Sequence, residues 1–377
     1  KQRYYAGDAA VAAALRESLD LTAIATVADV IPLTDENRTL VKYGLAALNK
    51  GRRPVLRRLA SAIGLKTGEI VAHNIAFGIA PHINAAGRMA DASPAAELFL
   101  AEDEAKADEI IEELIQYNAE RRELQERLTE QCAELAKERY AEDRILLLRP
   151  SGSHEGVSGI VAGRVKDKYG LPAIVLSETS SEEGGSGSNS RAQKLLKGSA
   201  RSVPGADIIA MLRRHAHMFL KLGGHAMAAG FTMIEDNEDL LRELLNEDMA
   251  ELLDAFPDLL DGKARIDAEV SAQELTLELA ERLRMFEPTG MGNPRPLLRL
   301  SNVPVKNVKR MGAGGRHMRF TADGVPCVLF GAAEEYAEII AEGEELSLTG
   351  VLDVNSWNGR ESAQFIVRDA RVADLEV

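Results

Sequence analysis

From Asp103 to Tyr140 the chain runs without a proline or a glycine. Within it Ile110, Ile111, Leu114, Ile115, Leu124, Leu128, Cys132 and Leu135 recur at three- and four-residue steps among Glu, Lys, Arg and Gln. That period gathers the apolar side chains on one stripe of an α-helix. At 1.5 Å per residue such a helix is about 57 Å long, more than one domain's core can use. The spacing predicts a rigid strut joining two lobes, with the acidic run inside it as a solvated face.

The 377 residues leave room for two or three domains around that strut. Two cysteines, Cys132 and Cys327, stand far apart in unlike contexts, so neither a disulfide framework nor a cysteine metal site is expected, and a reducing cytoplasm fits best. No apolar run approaches the roughly 18 residues of a membrane span, and no signal peptide opens the chain. The first residue is Lys1 rather than Met, so a fragment is expected. Net charge of −14 argues against nucleic-acid binding as a global property. Residues 306–319 run the other way, with Lys306, Lys309, Arg310, Arg316, His317 and Arg319 and no acid among them.

Lys1 to Leu100 reads as helices with one buried strand. The run from Leu21 to Leu33 is mostly apolar and has Asp29 as its only acid. A carboxylate there must be paired, metal-bound or used as an N-cap for the next turn. Pro81 and Gly87 bracket an expected loop from which Asn84 and Arg88 project, as an ordinary surface arginine with a loop asparagine or as a planar fork of donors to phosphate. Beyond the strut, strand Ile145–Leu148, helix Val157–Tyr169 and strand Ala173–Leu176 alternate, which predicts an α/β sandwich. His154 sits in the Ser/Gly loop before that helix, and residues 177–191 read as a low-complexity surface excursion. Ser199 and Arg201 lie two apart, so an extended segment puts them on one face, as a phosphate clamp or as a solvated strand face.

A helix is expected at Ala206–Leu220. After it Leu222 to Phe231 reads Leu-Gly-Gly-His-Ala-Met-Ala-Ala-Gly-Phe. Gly223 and Gly224 put bare backbone before His225, where an anion can reach both N–H groups and an imidazole; a tight turn with a structural histidine is the other reading. A helix at Asp236–Ala255 follows, and then a connector (258–297) that is Gly/Pro-rich from Phe286 to Pro296. Then the period becomes two. Leu298–Val308, His317–Thr321, Val325–Phe330, Glu345–Val354 and Ala363–Val367 read as five strands, with one helix near Ala332–Ala341. That pattern predicts a small OB-type barrel, a frequent single-strand binder, with Trp357 as a stacking or a core residue.

Seven stretches, in order, resemble the RecJ family of single-strand-specific 5′→3′ exonucleases in the DHH phosphoesterase superfamily. They are residues 26–33 (TVADVIPL), 83–88 (INAAGR), 154–162 (HEGVSGIVA), 198–202 (GSARS), 223–230 (GGHAMAAG), 290–294 (GMGNP) and 357–361 (WNGRE). The resemblance implies an α/β chain made of the C-terminal part of a DHH domain (1–102), the connecting helix (103–140), a DHHA1 domain (141–257), the connector and an OB domain (298–377). It implies that Asp29 is the last metal-binding aspartate of the DHH domain, which helps hold a pair of Mn²⁺ or Mg²⁺ ions, and that it is catalytic with His225. Arg88, Ser199 and Arg201 match the pocket that reads the 5′ end, Asn84 its neighbouring strand contact, and His225 the histidine of the DHHA1 domain that faces the scissile phosphate; His154, Gly223 and Gly224 are further expected substrate contacts. The implied partner is single-stranded DNA with a 5′ end, with a single-strand-binding protein or helicase as further partners and a monomer as the expected state.

The family's Asp-x-Asp and Asp-His-His motifs are absent, since no two histidines are adjacent in this chain. Two-metal hydrolysis needs several carboxylates, so the chain by itself is expected to be inactive. Two other classes compete: a non-catalytic single-strand-binding scaffold, and a DHH phosphodiesterase for short oligonucleotides or cyclic dinucleotides.

Overall fold

The helical run from Leu19 is the first element with a clear packing reason. In this computed structural model, which describes residues 15–139, 141–179, 194–261 and 265–372, α1 (Leu19–Ala28) buries Ala23, Ile24 and Thr26. It packs on α2 (Asp35–Asn49), and α3 (Pro54–Ala62) follows with Pro54 in its first turn. The strand expected within the first hundred residues is not found among the described ones: the run from Leu21 is helix and loop. Its small alanines suit a close helix crossing better than a pleated surface. Arg53 anchors α3 to the buried Asp20, Nε to Oδ2 3.0 Å.

By contact density the described residues form two compact units, one of residues up to 78 together with those from 265 on, the other of residues 79–261. In the second, α4 (Ala80–Met89) replaces the expected loop. Pro81 is tolerated because it lies in the first turn, where a backbone N–H has no intrahelical partner to lose. Next come α5 (Ser93–Leu100) and α6 (Glu104–Arg139), whose 36 residues span about 54 Å. The helix expected to be a strut is packed against α4, α5 and α7 (Glu155–Tyr169). Leu128, Cys132 and Ala136 of α6 join the core under α7.

The sheet of this unit has the order β1-β2-β3-β5-β4, with β1 (Leu146–Leu148), β2 (Ala173–Thr179), β3 (Leu195–Arg201), β4 (Phe219–His225) and β5 (Ala228–Ile234). β1 and β2 are parallel and the remaining pairs antiparallel. Alternation decides what each face covers. Leu147, Ile174, Leu176, Leu196 and Ala200 face the core shared with α8 (Ile208–Arg214) and α9 (Glu238–Ala255). Leu146, Leu148, Ala173 and Val175 face α6 and α7. The helix expected at Ala206–Leu220 is confined to α8, followed by a 3₁₀ turn, because β4 already begins at Phe219 to pair with β5. Most of the low-complexity excursion, residues 180–191, lies outside the described residues; 177–179 end β2.

In the first unit the two-residue period becomes a barrel of five strands: β7 (Leu298–Met311), β8 (His317–Ala322), β9 (Val325–Leu329), β10 (Glu345–Trp357) and β11 (Arg360–Val372). The order β10-β11-β9-β8-β7 is joined end to end by a β10–β7 pairing, and the short β6 (Ala268–Glu269) adds to β7. Phe320, Phe365, Leu300, Leu346 and Leu348 fill the interior. α10 (Leu277–Leu283) is capped by the Thr276 hydroxyl, which accepts from Leu279 N, and it packs on β10 and β11. The helix expected near Ala332–Ala341 is a run of turns. Tyr336 N and Ile340 N reach back four residues, but three-residue bonds at Ala337 and Ile339 interrupt the repeat.

Both cysteines are free and buried. Burial pushes each thiol up to about 12, so neither is a nucleophile at neutral pH. Among the described residues no helix is long and apolar enough to cross a membrane.

Candidate nucleic-acid site on the sheet face

Register across β3, β5 and β4 places chemistry that the sequence scatters. Opposed residues of antiparallel strands share a face, so three rows lie side by side. The central row is Ser199, Gly230 and Gly223. On one side stand Lys197, Thr232 and Lys221, and on the other Arg201, Ala228 and His225. Two glycines leave the middle row as bare backbone, a trough with a hydroxyl at one end and cations along both margins. The recess there has a volume of about 570 Å³ and is lined by Ser199, Gly223, Gly230, Lys197, Lys221 and the α7 residues Glu155 and Gly156, among others. Glu155 pairs with Lys197.

The Gly-Gly-His stretch is the end of strand β4, leading into the hairpin with β5. β4 is the edge strand of the sheet and is exposed at Gly223, Gly224 and His225. Gly224 has φ +149°, and a Cβ there would lie 2.5 Å from both Ala228 O and Ala229 Cα. Only glycine lets β4 and β5 close on each other at that point.

Ser199 and Arg201 do share one face of β3, as their spacing predicts, and both are half-buried. The Arg201 guanidinium lies against Gly159 of α7 and donates from Nη1 to Ala200 O at 2.8 Å. Arg88, near the end of α4, donates from Nη1 to Gly156 O at 3.0 Å. Asn84 is one helical turn earlier on α4 and exposed. His154 is the N-cap of α7, its Nδ1 accepting from Gly156 N at 3.2 Å, so that ring nitrogen is occupied by the helix.

The charged neighbours that shift the arginines of this corner are all cations. Burial, with Arg88 next in weight, lowers the Arg201 pKa from its ordinary value. Arg121 of α6 is lowered in the same way, by burial first and then by Arg88, Arg122 and Arg164. Among the described residues none of Arg88, Arg121 and Arg201 has a carboxylate partner. Arg121 is held instead by neutral amides, Nη2 to Asn118 Oδ1 at 2.9 Å and Nη1 to Gln125 Oε1 at 3.0 Å. Asn118 in turn meets His82 Nε2 at 3.0 Å. Half-buried guanidinium groups without a counter-charge are costly, and an anion relieves that cost.

Arg121 is the residue that the sequence reading missed, and its signal was there. The apolar stripe of α6 breaks between Ile115 and Leu124, and the same stripe positions are taken by Asn118, Arg121 and Gln125. Asn118 and Gln125 are 5% and 3% exposed. Polar residues inside a buried stripe mark a packed polar site, not a solvated face.

Asp29 belongs to the other unit. It is exposed, and it caps the C-terminus of α1 rather than the N-terminus of a turn, with its N–H donating to Ala25 O. Val30 follows at φ +54°, a β-branched residue where such helix ends normally carry glycine. Val30 N bonds Val27 O and Ile31 N bonds Thr26 O, completing a Schellman turn. The turn is held from outside: Leu33 N donates to Met291 O at 2.6 Å, and a Cβ on Gly292 would come within 3.1 Å of the Pro32 Cβ. The two motifs 26–33 and 290–294 are thus structural partners. Strained backbone of this kind persists where surrounding structure over-determines it. No group of three His, Cys, Asp or Glu side chains fit for a metal ion occurs among the described residues.

Residues 142–251 match the family model of the DHHA1 domain, and residues 266–369 match that of the RecJ OB domain. The chain is 32% identical over 365 residues to the single-stranded-DNA-specific exonuclease RecJ of Bacillus subtilis (strain 168), covering 96% of this chain and 45% of that protein. It belongs to the RecJ family. The exonuclease RecJ of Escherichia coli (strain K12) is 31% identical over 94% of this RecJ-family chain and 61% of its own length. The crystal structure of RecJ from Thermus thermophilus in complex with Mg²⁺ superposes with a TM-score of 0.78 at 31% identity, over 95% of this chain and 53% of that one. The Mn²⁺ complex of the same protein gives 0.79. The chain spans about half the length of the curated RecJ relatives it matches.

Proposed function

We propose that this chain is the strand-binding and end-reading part of a single-stranded-DNA-specific 5′→3′ exonuclease. The observation that carries the reading is the sheet face: a glycine-floored trough beside Ser199, with Arg201 and Arg88 uncompensated at its head. A 5′-terminal phosphate carries the charge those guanidinium groups lack, and Ser199 adds a neutral donor. The strand then runs over bare backbone at Gly230 and Gly223 between cationic margins. With its 5′ end held there, it can be shortened only from that end. His225, exposed on the same face, is in place to donate to a phosphate oxygen.

Relatives of this chain have been solved with Mg²⁺ and with Mn²⁺, and we assign the same ions to the whole protein, where a bound divalent ion activates water and stabilises phosphoryl charge. Asp29 is the one ligand this chain is proposed to bring. A single carboxylate does not hold two ions, so the chemistry that the present residues perform is binding, orientation and end selection. Purified chain is accordingly expected to release no nucleotides from 5′-phosphorylated single-stranded DNA with Mn²⁺ or Mg²⁺. Metal-dependent release that co-purifies with the chain through two orthogonal columns would contradict this.

The barrel is the second strand contact in this reading. Each phosphate contact lowers the slope of log K against log salt by about 0.7 for a single strand. Replacing Lys309 and Arg310 by Glu should flatten the slope measured by anisotropy by at least one contact. A slope unchanged in the double variant would move the contact off 306–319.

A further inference from the structure

The barrel carries an aromatic pair that the strand-binding reading leaves without a role. In the register of β7, β8 and β9, Met311 is opposite His317, and Lys309 is opposite Arg319. Met318 pairs with Leu329 and points into the core, so the next residues outward, His317 and Phe330, emerge on the outer face. There the two rings meet edge to face, with centroids 5.5 Å apart and planes at 70°. The His317 ring is fixed by Gly331, whose N–H donates to Nδ1 at 2.8 Å. Phe330 remains 54% exposed, although it is a large apolar side chain beside a packed core.

Two residues along the same strands, Lys309 and Arg319 stand directly opposite each other. Like charges at opposed positions destabilise an antiparallel pair. Among the described residues neither has an ion-pair partner. Lys306 and Arg310, on the same strand as Lys309, are also exposed. A held aromatic pair and an uncompensated cation pair, two residues apart along the strands, match the two chemistries of a nucleotide: a π face and a phosphate.

We propose that His317 and Phe330 form a nucleobase-stacking platform on the barrel, with Lys309 and Arg319 taking the adjoining phosphate of single-stranded DNA. The proposal deepens the strand-binding reading and rests on it. The charge around the platform selects the occupant: an apolar protein partner gains nothing from a cluster of exposed cations, whereas a polyanion with exposed base faces uses both features. An aromatic ring serves any base, so the platform contributes affinity without sequence preference.

The test is an anisotropy titration of the chain with an oligothymidylate and with an abasic strand of equal length. Base–aromatic stacking contributes about 1–3 kcal/mol per base, so Phe330→Leu should weaken oligothymidylate binding about five- to a hundred-fold and leave the salt slope unchanged. Phe330→Tyr should bind like the parent chain. The abasic strand should bind the parent chain and Phe330→Leu equally. Leu and Tyr preserve bulk at an exposed position, and the melting temperature of each variant is measured alongside. Phe330→Leu binding oligothymidylate as the parent does would overturn the platform, even where Lys309→Glu with Arg310→Glu still flattens the slope and the barrel reading stands. Equal loss for both strands would likewise overturn it, because it would assign Phe330 to the fold or to a protein contact.

Discussion

Arg201→Ala is expected to weaken binding of a 5′-phosphorylated single strand about ten- to a hundred-fold while barely changing binding of the 5′-hydroxyl strand. The physical basis is the corner where α4 and α7 meet β3. Arg201 is packed against Gly159 and acts within the field of Arg88, and neither has a carboxylate partner among the described residues. A hydrogen bond to an ionised group contributes about 1.5–3 kcal/mol, which is roughly that factor in affinity. The 5′-hydroxyl strand lacks the terminal anion and has nothing to lose. Removing one of several like charges should also leave the fold intact or slightly steadier. Equal loss for both strands, with a lowered melting temperature, would make Arg201 a packing residue instead.

Gly156→Ala is expected to have the largest effect on stability. A Cβ at Gly156 would lie 2.1 Å from Arg88 O and 2.9 Å from Arg88 C, both backbone atoms. No rotamer relieves a clash with main chain, so α4 and α7 must separate. Overpacking costs about 1–3 kcal/mol and occasionally more, which for a unit of this size is about 2–4 °C per kcal/mol. The same separation breaks the Arg88 Nη1 bond to Gly156 O and moves one cation of the pocket. Calorimetry should therefore show a lowered transition, and the preference for a 5′-phosphate should fall with it. A variant that melts like the parent would contradict the observed approach of the two helices.

Much of the fold was legible because periodicity survives without tertiary information. The period of 3.6 residues from Asp103 and of two from Leu298 mark α6 and the barrel strands, whose register then follows from burying one face. The readings that needed correction share one physical cause: local composition was outweighed by packing. Pro81 and Gly87 suggest a loop, yet α4 absorbs both, one in its first turn and one beside its end. Alanine-rich residues around Asp29 suggest a buried strand, yet α1 uses them against α2. Segment 332–341 has helical composition but lacks a continuous four-residue bond repeat.

The candidate site was legible residue by residue and not as a surface. Spacing puts Ser199 and Arg201 on one face, and glycines at 223, 224 and 230 announce close backbone. What no spacing conveys is that Gly230 and Gly223 continue the Ser199 row across two strands, since that is register between segments far apart in sequence. Arg121 was hidden for a different reason. A charged residue on a long helix ordinarily faces solvent, and the polar break at Asn118, Arg121 and Gln125 gains its meaning once Asn118 and Gln125 are seen to be buried.

The central claim, that this chain reads the 5′ end of a single strand on the β3–β5–β4 face, is tested most directly by moving the phosphate. Two oligothymidylates of one sequence and length, one phosphorylated at the 5′ end and the other at the 3′ end, carry the same total charge. Titrated against the chain at fixed salt, the 5′-phosphorylated strand should bind at least about ten-fold more tightly, the smaller of the two effects expected for one charge-assisted contact. Equal dissociation constants for the two strands would contradict the account.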